Sequence, residues 1–221
     1  MRLAVSGTWA PGAQPAILVA NHVSWLDIYV LNAFCPSLFV AKSEIAHWPL
    51  LGTLARKSGT VFIERGRKRD ILRVNAALTQ LMRDGARIAV FPEGTTTAGN
   101  TVLPFRSALL QAAVNCGAPV CPIALRYERI DGSLCTEAAF IGDTSFAAAL
   151  WQVLKQPAIR VHLQVFPAAQ GAPIAARKAL ARDAQRCIAR ALEWRGASSQ
   201  ERPYWSTALP PEEAIDPLLH P

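Results

Sequence analysis

Short apolar runs alternate with longer amphipathic segments along the first 195 residues of the chain. The runs that predict strands are 3–6, 16–20, 38–41, 60–63, 87–91, 120–127 and 160–166. The segments that predict helices are 25–34, 68–84, 106–115, 144–154 and 175–194. Strands that alternate with helices are typical of α/β domains. We therefore expect a single α/β domain over residues 1–195, with a mixed, mostly parallel sheet flanked by helices.

Two segments fall outside this alternation. Residues 42–52 contain Pro49 and Gly52, and we predict a loop there with room for one helical turn. From residue 196 onward, prolines recur at positions 203, 210, 211, 217 and 221. Because proline interrupts regular structure, we expect residues 196–221 to form an extended or disordered tail.

A histidine and an aspartate follow the second predicted strand. His22 lies in the predicted turn, and Asp27 lies in the first turn of the helix, where Ser24 and Asp27 fit a capping box. Both side chains can reach one crevice at the end of the strand, where open α/β folds place their sites. A neutral imidazole can take a proton from a hydroxyl, and a carboxylate on its other nitrogen fixes its tautomer. The pattern alone is equally compatible with a helix cap beside an ordinary turn histidine.

A second candidate segment follows the strand at 87–91, where Pro92 ends the apolar run within the sequence Phe-Pro-Glu-Gly-Thr. Together with His-x4-Asp, this segment resembles the motifs of the glycerolipid acyltransferase family, whose bacterial archetype acylates 1-acylglycerol-3-phosphate. Two weaker blocks of that family occur in the expected order, Gly-Thr-Val-Phe-Ile-Glu-Arg at 59–65 and Val-Cys-Pro-Ile at 120–123. The resemblance covers residues 3–165 and implies the glycerolphosphate acyltransferase-like fold.

The resemblance also implies a reaction. A fatty acyl group would move from a thioester, acyl-CoA or acyl-ACP, to the hydroxyl of a lysophospholipid, foremost 1-acyl-sn-glycerol-3-phosphate, and give phosphatidic acid. His22 would act as the general base and Asp27 would orient it. The residues that the resemblance places at the acceptor site are Lys42, Arg65, Glu93, Gly94 and Thr95. Arginine suits a phosphate because its planar fork binds two oxygens at once.

The sequence departs from the family pattern in two places. Phosphatidate-forming members commonly carry arginine directly after Phe-Pro-Glu-Gly-Thr, whereas this chain has Thr96. Relatives that acylate lyso-ornithine lipid carry threonine there, so lyso-ornithine lipid is the alternative acceptor. Members also usually have one or two hydrophobic helices before the strand at 3–6. Either the start of this sequence is truncated or the protein docks without such an anchor.

Charge and hydrophobicity favour a membrane surface as a partner. The formal net charge is +7, and the densest cationic cluster lies at 65–73. This cluster lacks interleaved aromatic residues, so we expect no nucleic-acid partner. Polybasic patches are attracted to anionic lipid headgroups, and the apolar residues 48–51 could enter the interface beside them. No apolar stretch reaches the roughly 18 residues typical of a membrane span. We expect peripheral or monotopic association with the cytoplasmic face of the inner membrane.

The five cysteines form no Cys-x-x-Cys pair, which is typical of a reduced cytoplasmic protein. We expect neither a cofactor nor a metal ion. A metal-dependent hydrolase built on His22, Asp27 and Glu93 would lack a second histidine at metal-binding spacing. A catalytically silent lipid-binding protein on the same fold is a further alternative, and the presence of both His22 and Asp27 disfavours it.

Overall fold

The structure is a computed structural model that describes residues 2–7, 15–48, 51–57, 59–63, 68–169 and 177–193. Arg65 and the tail predicted at 196–221 lie outside these residues, and so does the side chain of Lys42. Within the described ranges, no helix combines the length and the apolar character needed to cross a membrane.

Seven strands form one sheet, and all seven predicted strands are present within one residue at either end. They are β1 (Arg2–Gly7), β2 (Ile17–Ala20), β3 (Leu38–Lys42), β4 (Val61–Ile63), β5 (Ile88–Val90), β6 (Val120–Glu128) and β7 (Arg160–Val165). Their order across the sheet is β1-β7-β6-β2-β5-β3-β4. Neighbouring strands run parallel except β6 and β7, which are antiparallel. The prediction of an α/β fold with a mixed, mostly parallel sheet is confirmed.

Helices flank this sheet. They are α1 (Asp27–Phe34), α2 (Leu51–Lys57), α3 (Lys68–Arg83), α4 (Gln111–Cys116), α5 (Phe146–Leu154) and α6 (Arg177–Glu193). Short 3-10 helices occur at Ser43–His47, Ser107–Leu110 and Thr136–Ala138. The helix predicted at 106–115 is therefore a 3-10 turn that continues into α4 and ends at Gly117, whose φ of 61° is left-handed.

The 3-10 helix at 43–47 is the helical turn predicted within the loop at 42–52, but the end of that segment is not loop, because α2 begins at Leu51. Gly52 lies in the first turn of α2, where a Cβ atom would come within 2.3 Å of the Ala46 carbonyl oxygen. The glycine therefore permits close packing of two helical segments. The pattern had suggested that it breaks the chain into a loop.

The centre of the sheet is covered on both faces. Every residue of β2 is fully buried. Leu18 and Ala20 pack on the α1 side, whereas Ile17 and Val19 pack against α3, α4 and α6. A parallel strand between two helical layers is apolar at every position, which explains the unbroken run at 16–20.

The topology brings distant segments to one edge of the sheet. β2 lies between β6 and β5, and it is parallel to both. The residues that follow these three strands therefore leave the sheet at the same edge. This edge carries His22 after β2, Phe91 after β5 and the carboxyl end of β6.

Candidate active site

His22 and Asp27 form a hydrogen-bonded pair. The Nδ1 atom of His22 lies 2.7 Å from Oδ2 of Asp27. The aspartate side chain is fully buried, whereas that of the histidine is 22% exposed. With Nδ1–H donating to the carboxylate, Nε2 keeps the lone pair that a general base requires. The predicted pair is therefore assembled in the geometry that proton abstraction needs.

The Asp27 carboxylate organises the turn as well as the imidazole. Its Oδ2 atom also accepts the backbone N–H groups of Val23 at 2.7 Å and Ser24 at 3.0 Å. The Ser24 hydroxyl accepts from the N–H of Leu26, so the predicted capping box forms only in its carboxylate half. Because Asp27 bonds back to the turn, α1 begins at Asp27 and not at Trp25.

Tyr127 is a member of the site that the sequence did not reveal. Its hydroxyl, carried by β6, donates to Oδ1 of Asp27 at 2.7 Å. Tyr127 is fully buried, and burial raises the pKa of its phenol well above the ordinary value, with the neighbouring Asp27 charge adding to the effect. The phenol therefore stays protonated and acts as a donor. Its one signal in the sequence is a polar-tipped aromatic residue near the end of a strand whose first six residues are apolar.

Glu93 supports the site through two hydrogen bonds to backbone groups. One carboxylate oxygen accepts the backbone N–H of His22 at 2.7 Å, and the other accepts that of Leu103 at 2.8 Å. Its side chain is buried, and burial raises the pKa of this carboxyl against the opposing effect of the two hydrogen bonds. Glu93 therefore joins two backbone segments, and its predicted contact with an acceptor stays a prediction.

The imidazole ring and the backbone of His22 have further supports. The ring stacks on Phe91 with centroids 4.1 Å apart and planes 12° apart. The His22 carbonyl accepts the N–H of Thr97 at 2.8 Å. Together with the bonds to Asp27 and Glu93, these contacts fix the orientation of the histidine before any substrate binds.

Gly94 and Thr95 line the same cavity as His22. Gly94 has a φ of 74°, a left-handed conformation that favours glycine, and its N–H donates to Phe91 at 3.1 Å. Thr95 is exposed, and the hydroxyl of the next residue, Thr96, donates to the Phe140 carbonyl. Gly94 and Thr95 thus line the same cavity as His22, and their predicted role in acceptor binding stays a prediction.

The cavity has a volume of about 230 Å³, and His22 forms part of its wall. Most of its lining is apolar, drawn chiefly from α1, β3 and the segments after them. The principal lining residues are Trp25, Ile28, Phe39, Ala41, Trp48 and Phe140. Apolar cavities with a few polar groups at one end suit ligands that have a long apolar part. In the described ranges, no group of three or more His, Cys, Asp or Glu side chains could hold a metal ion.

Comparison with known proteins places this site in a family. The sequence profile of the Acyltransferase family matches residues 2–126. The 1-acyl-sn-glycerol-3-phosphate acyltransferase of Neisseria meningitidis serogroup B is 38% identical over 175 residues, which are 79% of this chain and 68% of that protein. The lyso-ornithine lipid O-acyltransferase of Pseudomonas aeruginosa is 40% identical over 191 residues, which are 86% of this chain and 72% of that protein.

A solved structure shares the fold. It is that of PlsC from Thermotoga maritima, a 1-acyl-sn-glycerophosphate acyltransferase, with a TM-score of 0.58 and 23% identity. The match covers 89% of this chain and 74% of that one. The family profile spans more than half of the chain, and two relatives exceed 30% identity over most of their length. The chain therefore belongs to the Acyltransferase family, as its His-x4-Asp and Phe-Pro-Glu-Gly-Thr segments predicted.

Proposed function

We propose that the protein transfers a fatty acyl group from acyl-CoA or acyl-ACP to the free hydroxyl of 1-acyl-sn-glycerol-3-phosphate, forming phosphatidic acid. The observation that carries this proposal is the hydrogen-bonded pair of His22 and Asp27, of which His22 forms part of the wall of an apolar cavity. The pair supplies the base for an alcohol nucleophile, and the cavity suits a lipid chain.

The proposed chemistry is a direct transfer. As the acceptor oxygen attacks the thioester carbonyl, Nε2 of His22 takes the hydroxyl proton, and Asp27 stabilises the imidazolium that results. The tetrahedral oxyanion then collapses, the carbon–sulfur bond breaks, and the imidazolium returns the proton to the leaving thiolate. The products are the acylated lipid and a free thiol. General-base assistance of this kind typically contributes about 10²–10⁴-fold to the rate.

The acceptor headgroup is proposed to lie at the turn formed by Gly94 and Thr95. Both residues line the opening beside His22, and the left-handed backbone at Gly94 leaves room for a close approach. The family resemblance adds Arg65 and Lys42 as cationic ligands of a phosphate. Glu93 would support the site by accepting the backbone N–H of His22.

Lyso-ornithine lipid is the second candidate acceptor. It is favoured by Thr96, which stands where phosphatidate-forming relatives commonly carry arginine. The Thr96 hydroxyl donates to the Phe140 carbonyl, and both residues line the cavity. The relative from Pseudomonas aeruginosa, named for this acceptor, is 40% identical to the chain.

The proposed place of action is the cytoplasmic face of the inner membrane, where the protein would bind peripherally to an anionic lipid surface. A lysolipid and its product both reside in membranes, and the net charge of +7 favours attraction to acidic headgroups.

One experiment tests the function and its alternatives. Purified protein would be incubated with labelled acyl-CoA or acyl-ACP and a panel of lysolipids with and without phosphate, and products would be identified by mass spectrometry. We expect lysolipid-dependent thiol release that the His22→Ala variant lacks and that a metal chelator does not reduce. Thiol release without an acylated lipid, or no turnover with any acceptor, would contradict the proposal.

A further inference from the structure

Helix α5 presents large apolar side chains to solvent. Trp151 is 60% exposed and Leu154 is 65% exposed. No residue of α5 carries a charge, and Ala149 alone among its nine residues is buried. Soluble proteins rarely group apolar side chains on one exposed element unless that element contacts a partner. This helix is therefore a candidate interaction surface.

The position of α5 links it to the active site. Its first residue, Phe146, packs edge to face on Trp25 with ring centroids 5.2 Å apart, and Trp25 lines the cavity. α5 connects β6 to β7, and Glu128 at the end of β6 pairs with Arg160 at the start of β7. The helix is thus part of the connection at the sheet edge where His22 lies.

The end of α5 has the character of a boundary between lipid and water. The Lys155 ammonium lies over the Trp151 ring, 5.2 Å from its centroid. A lysine can lay its methylene stem along apolar surface while its charge stays in water. Tryptophan favours places where one side is apolar and the other is hydrated. An uncharged apolar helix that ends in this pair matches the chemistry of a bilayer surface better than that of a protein partner.

We propose that α5 inserts its exposed side chains between the headgroups and acyl chains of a lipid bilayer, and that a lysolipid enters the neighbouring cavity from there. The second half rests on the proposed function, whereas the contact between α5 and lipid does not. This contact is apolar, so it adds to the attraction of basic residues for anionic headgroups but does not depend on it.

Vesicle flotation of the full chain tests the contact without any substrate. The double variant Trp151→Ser/Leu154→Ser would be compared with the wild type on vesicles of phosphatidylcholine and of phosphatidylglycerol. We expect the partition coefficient of the variant to fall at least about tenfold on both, equal to about 1.4 kcal/mol. The difference on neutral phosphatidylcholine should persist at high salt, because screening affects charges and not apolar contacts.

Two controls make the outcome specific. Ile130→Ser removes a side chain of matched exposure, 62%, from outside α5 and should bind vesicles like the wild type. Acyl transfer by the double variant to a short-chain, water-soluble acceptor should stay within about twofold of the wild type. If transfer fails in all proteins while vesicle binding depends on α5, the proposed function is wrong and the lipid contact stands.

Three results would overturn the lipid contact. The first is wild-type vesicle binding by the double variant. The second is an equal loss of binding by Ile130→Ser. The third is a wild-type protein that forms a dimer in solution which the double variant does not form, because α5 would then cover a second copy of the chain.

A second, independent inference concerns Tyr127. Asp27 is fully buried, and its two oxygens have different partners. Oδ2 is bonded to His22 and to two backbone N–H groups, whereas Oδ1 accepts the Tyr127 hydroxyl and no other hydrogen bond from the described residues. An unpaired oxygen on a buried carboxylate is costly. The phenol therefore determines how much negative charge Asp27 directs at the imidazole.

The geometry points to Tyr127 as a positioning residue that tunes the His22–Asp27 pair through Asp27. The titratable groups that face Asp27 are His22 from the same turn, Tyr127 from β6 and Glu93 from the segment after β5. Cys135 is adjacent to Tyr127 through its backbone N–H, but its thiol is directed at Glu137. Removal of the phenol donor leaves the Asp27 charge shared among fewer hydrogen bonds and so concentrates it on His22.

Tyr127→Phe isolates this effect because it keeps the ring. We expect kcat to fall about tenfold, with KM for donor and acceptor unchanged within about twofold. The acidic limb of the pH–rate profile should move to higher pH, because Asp27 no longer shares its charge with the phenol. Replacement of Tyr127 by 3-fluorotyrosine, a stronger donor, should move the same limb to lower pH.

Ile88→Val is the control for a purely structural role. It trims a fully buried side chain of β5 that packs on the opposite face of the sheet from Asp27. It should reduce stability while leaving kcat and the pH profile as in the wild type. An unmoved acidic limb in both Tyr127 variants would overturn the inference, even if kcat fell, because a packing defect alone would explain such a result. If Tyr127→Phe fails to fold, the 3-fluorotyrosine protein decides the question alone.

Discussion

The carboxylate of Glu93 accepts the backbone N–H of His22 at 2.7 Å, across 71 positions of sequence. Its second carboxylate oxygen accepts the backbone N–H of Leu103 at 2.8 Å. The acidic residue of the Phe-Pro-Glu-Gly-Thr segment is thus bonded to the main chain of the turn that carries His22. One side chain therefore joins the two strongest motifs of the sequence, and it holds the backbone of His22 in place.

Glu93→Gln tests this structural role. The amide can accept one of the two N–H groups, but its NH₂ group then faces the other donor. We expect the free energy of unfolding to fall by about 1–3 kcal/mol, together with kcat. Denaturant unfolding and steady-state kinetics would measure both effects, with Glu193→Gln at the exposed end of α6 as the control. A higher acceptor KM at unchanged stability would instead identify Glu93 as a substrate ligand.

His22→Ala should reduce turnover by up to about 10⁴-fold while leaving the fold intact, because it removes the proposed general base. Asp27→Asn should also reduce the rate strongly, since the amide favours the wrong imidazole tautomer. His162→Ala is a matched control, because His162 is 23% exposed and paired with Glu128. Single-turnover kinetics and circular dichroism would separate chemistry from folding. More than about a tenth of wild-type turnover in His22→Ala would refute the mechanism.

Glu128 should make the stability of the protein depend on pH. Burial opposes its ionisation, but hydrogen bonds from His162 and Arg126 outweigh burial and hold the pKa of this carboxyl below its ordinary value. A depressed carboxyl pKa stabilises the folded state above the unfolded value, roughly pH 4.3. That stabilisation is lost as the pH falls through the folded value. Urea unfolding of wild type and Glu128→Gln should therefore differ most near neutrality and converge in acid. A difference in the free energy of unfolding between the two proteins that grows as the pH falls would contradict this prediction.

Gly94→Ala should impair catalysis through the backbone. A side chain at a φ of 74° is strained by roughly 1–2 kcal/mol, and relief of that strain would displace the turn beside His22. Gly85→Ala is the matched control, because Gly85 also has a left-handed φ, 90°, in open space at the end of α3. Both variants should lose similar stability in thermal unfolding, and kcat/KM should fall only for Gly94→Ala. An equal effect on kcat/KM would mean that the turn has no special role.

Thr96→Arg should separate the two candidate acceptors. With a glycerol phosphate acceptor, the added cation should lower KM or leave it unchanged. With a zwitterionic amino-acid lipid, it should reduce activity because it introduces an unpaired charge. Thr96→Val serves as the control for the lost hydrogen bond to Phe140. Improved use of a lyso-aminolipid by Thr96→Arg would show that position 96 does not face the headgroup.

The sequence predicted the strands and the His22–Asp27 pair because both are local features. A strand between helical layers leaves an apolar run, and the pair lies within one turn of the chain. The family resemblance drew attention to the Phe-Pro-Glu-Gly-Thr segment, and two of its residues, Gly94 and Thr95, line the same cavity as His22.

The hydrogen-bond partners of the His22–Asp27 pair could not be predicted from local features of the sequence. Tyr127 is 100 positions from Asp27, and their contact exists because β6 is a neighbour of β2 in the sheet. Nothing local in the sequence specifies that order. Helix α2 was not predicted for a different reason. Gly52 suggests a loop in the sequence, but in the structure it allows two helical segments to pack closely.

The place of β1 in the sheet has a consequence for folding while the protein is synthesised on the ribosome. β1 begins at Arg2, yet its parallel partner β7 begins at Arg160. At about 5–20 residues per second of synthesis, the first strand waits on the order of ten seconds for its partner to appear. Pairing between such distant segments is slow, and an unpaired strand edge is prone to wrong contacts. We expect nascent chains that end before residue 160 to form the central strands of the sheet. In these chains β1 stays unpaired and accessible to chaperones.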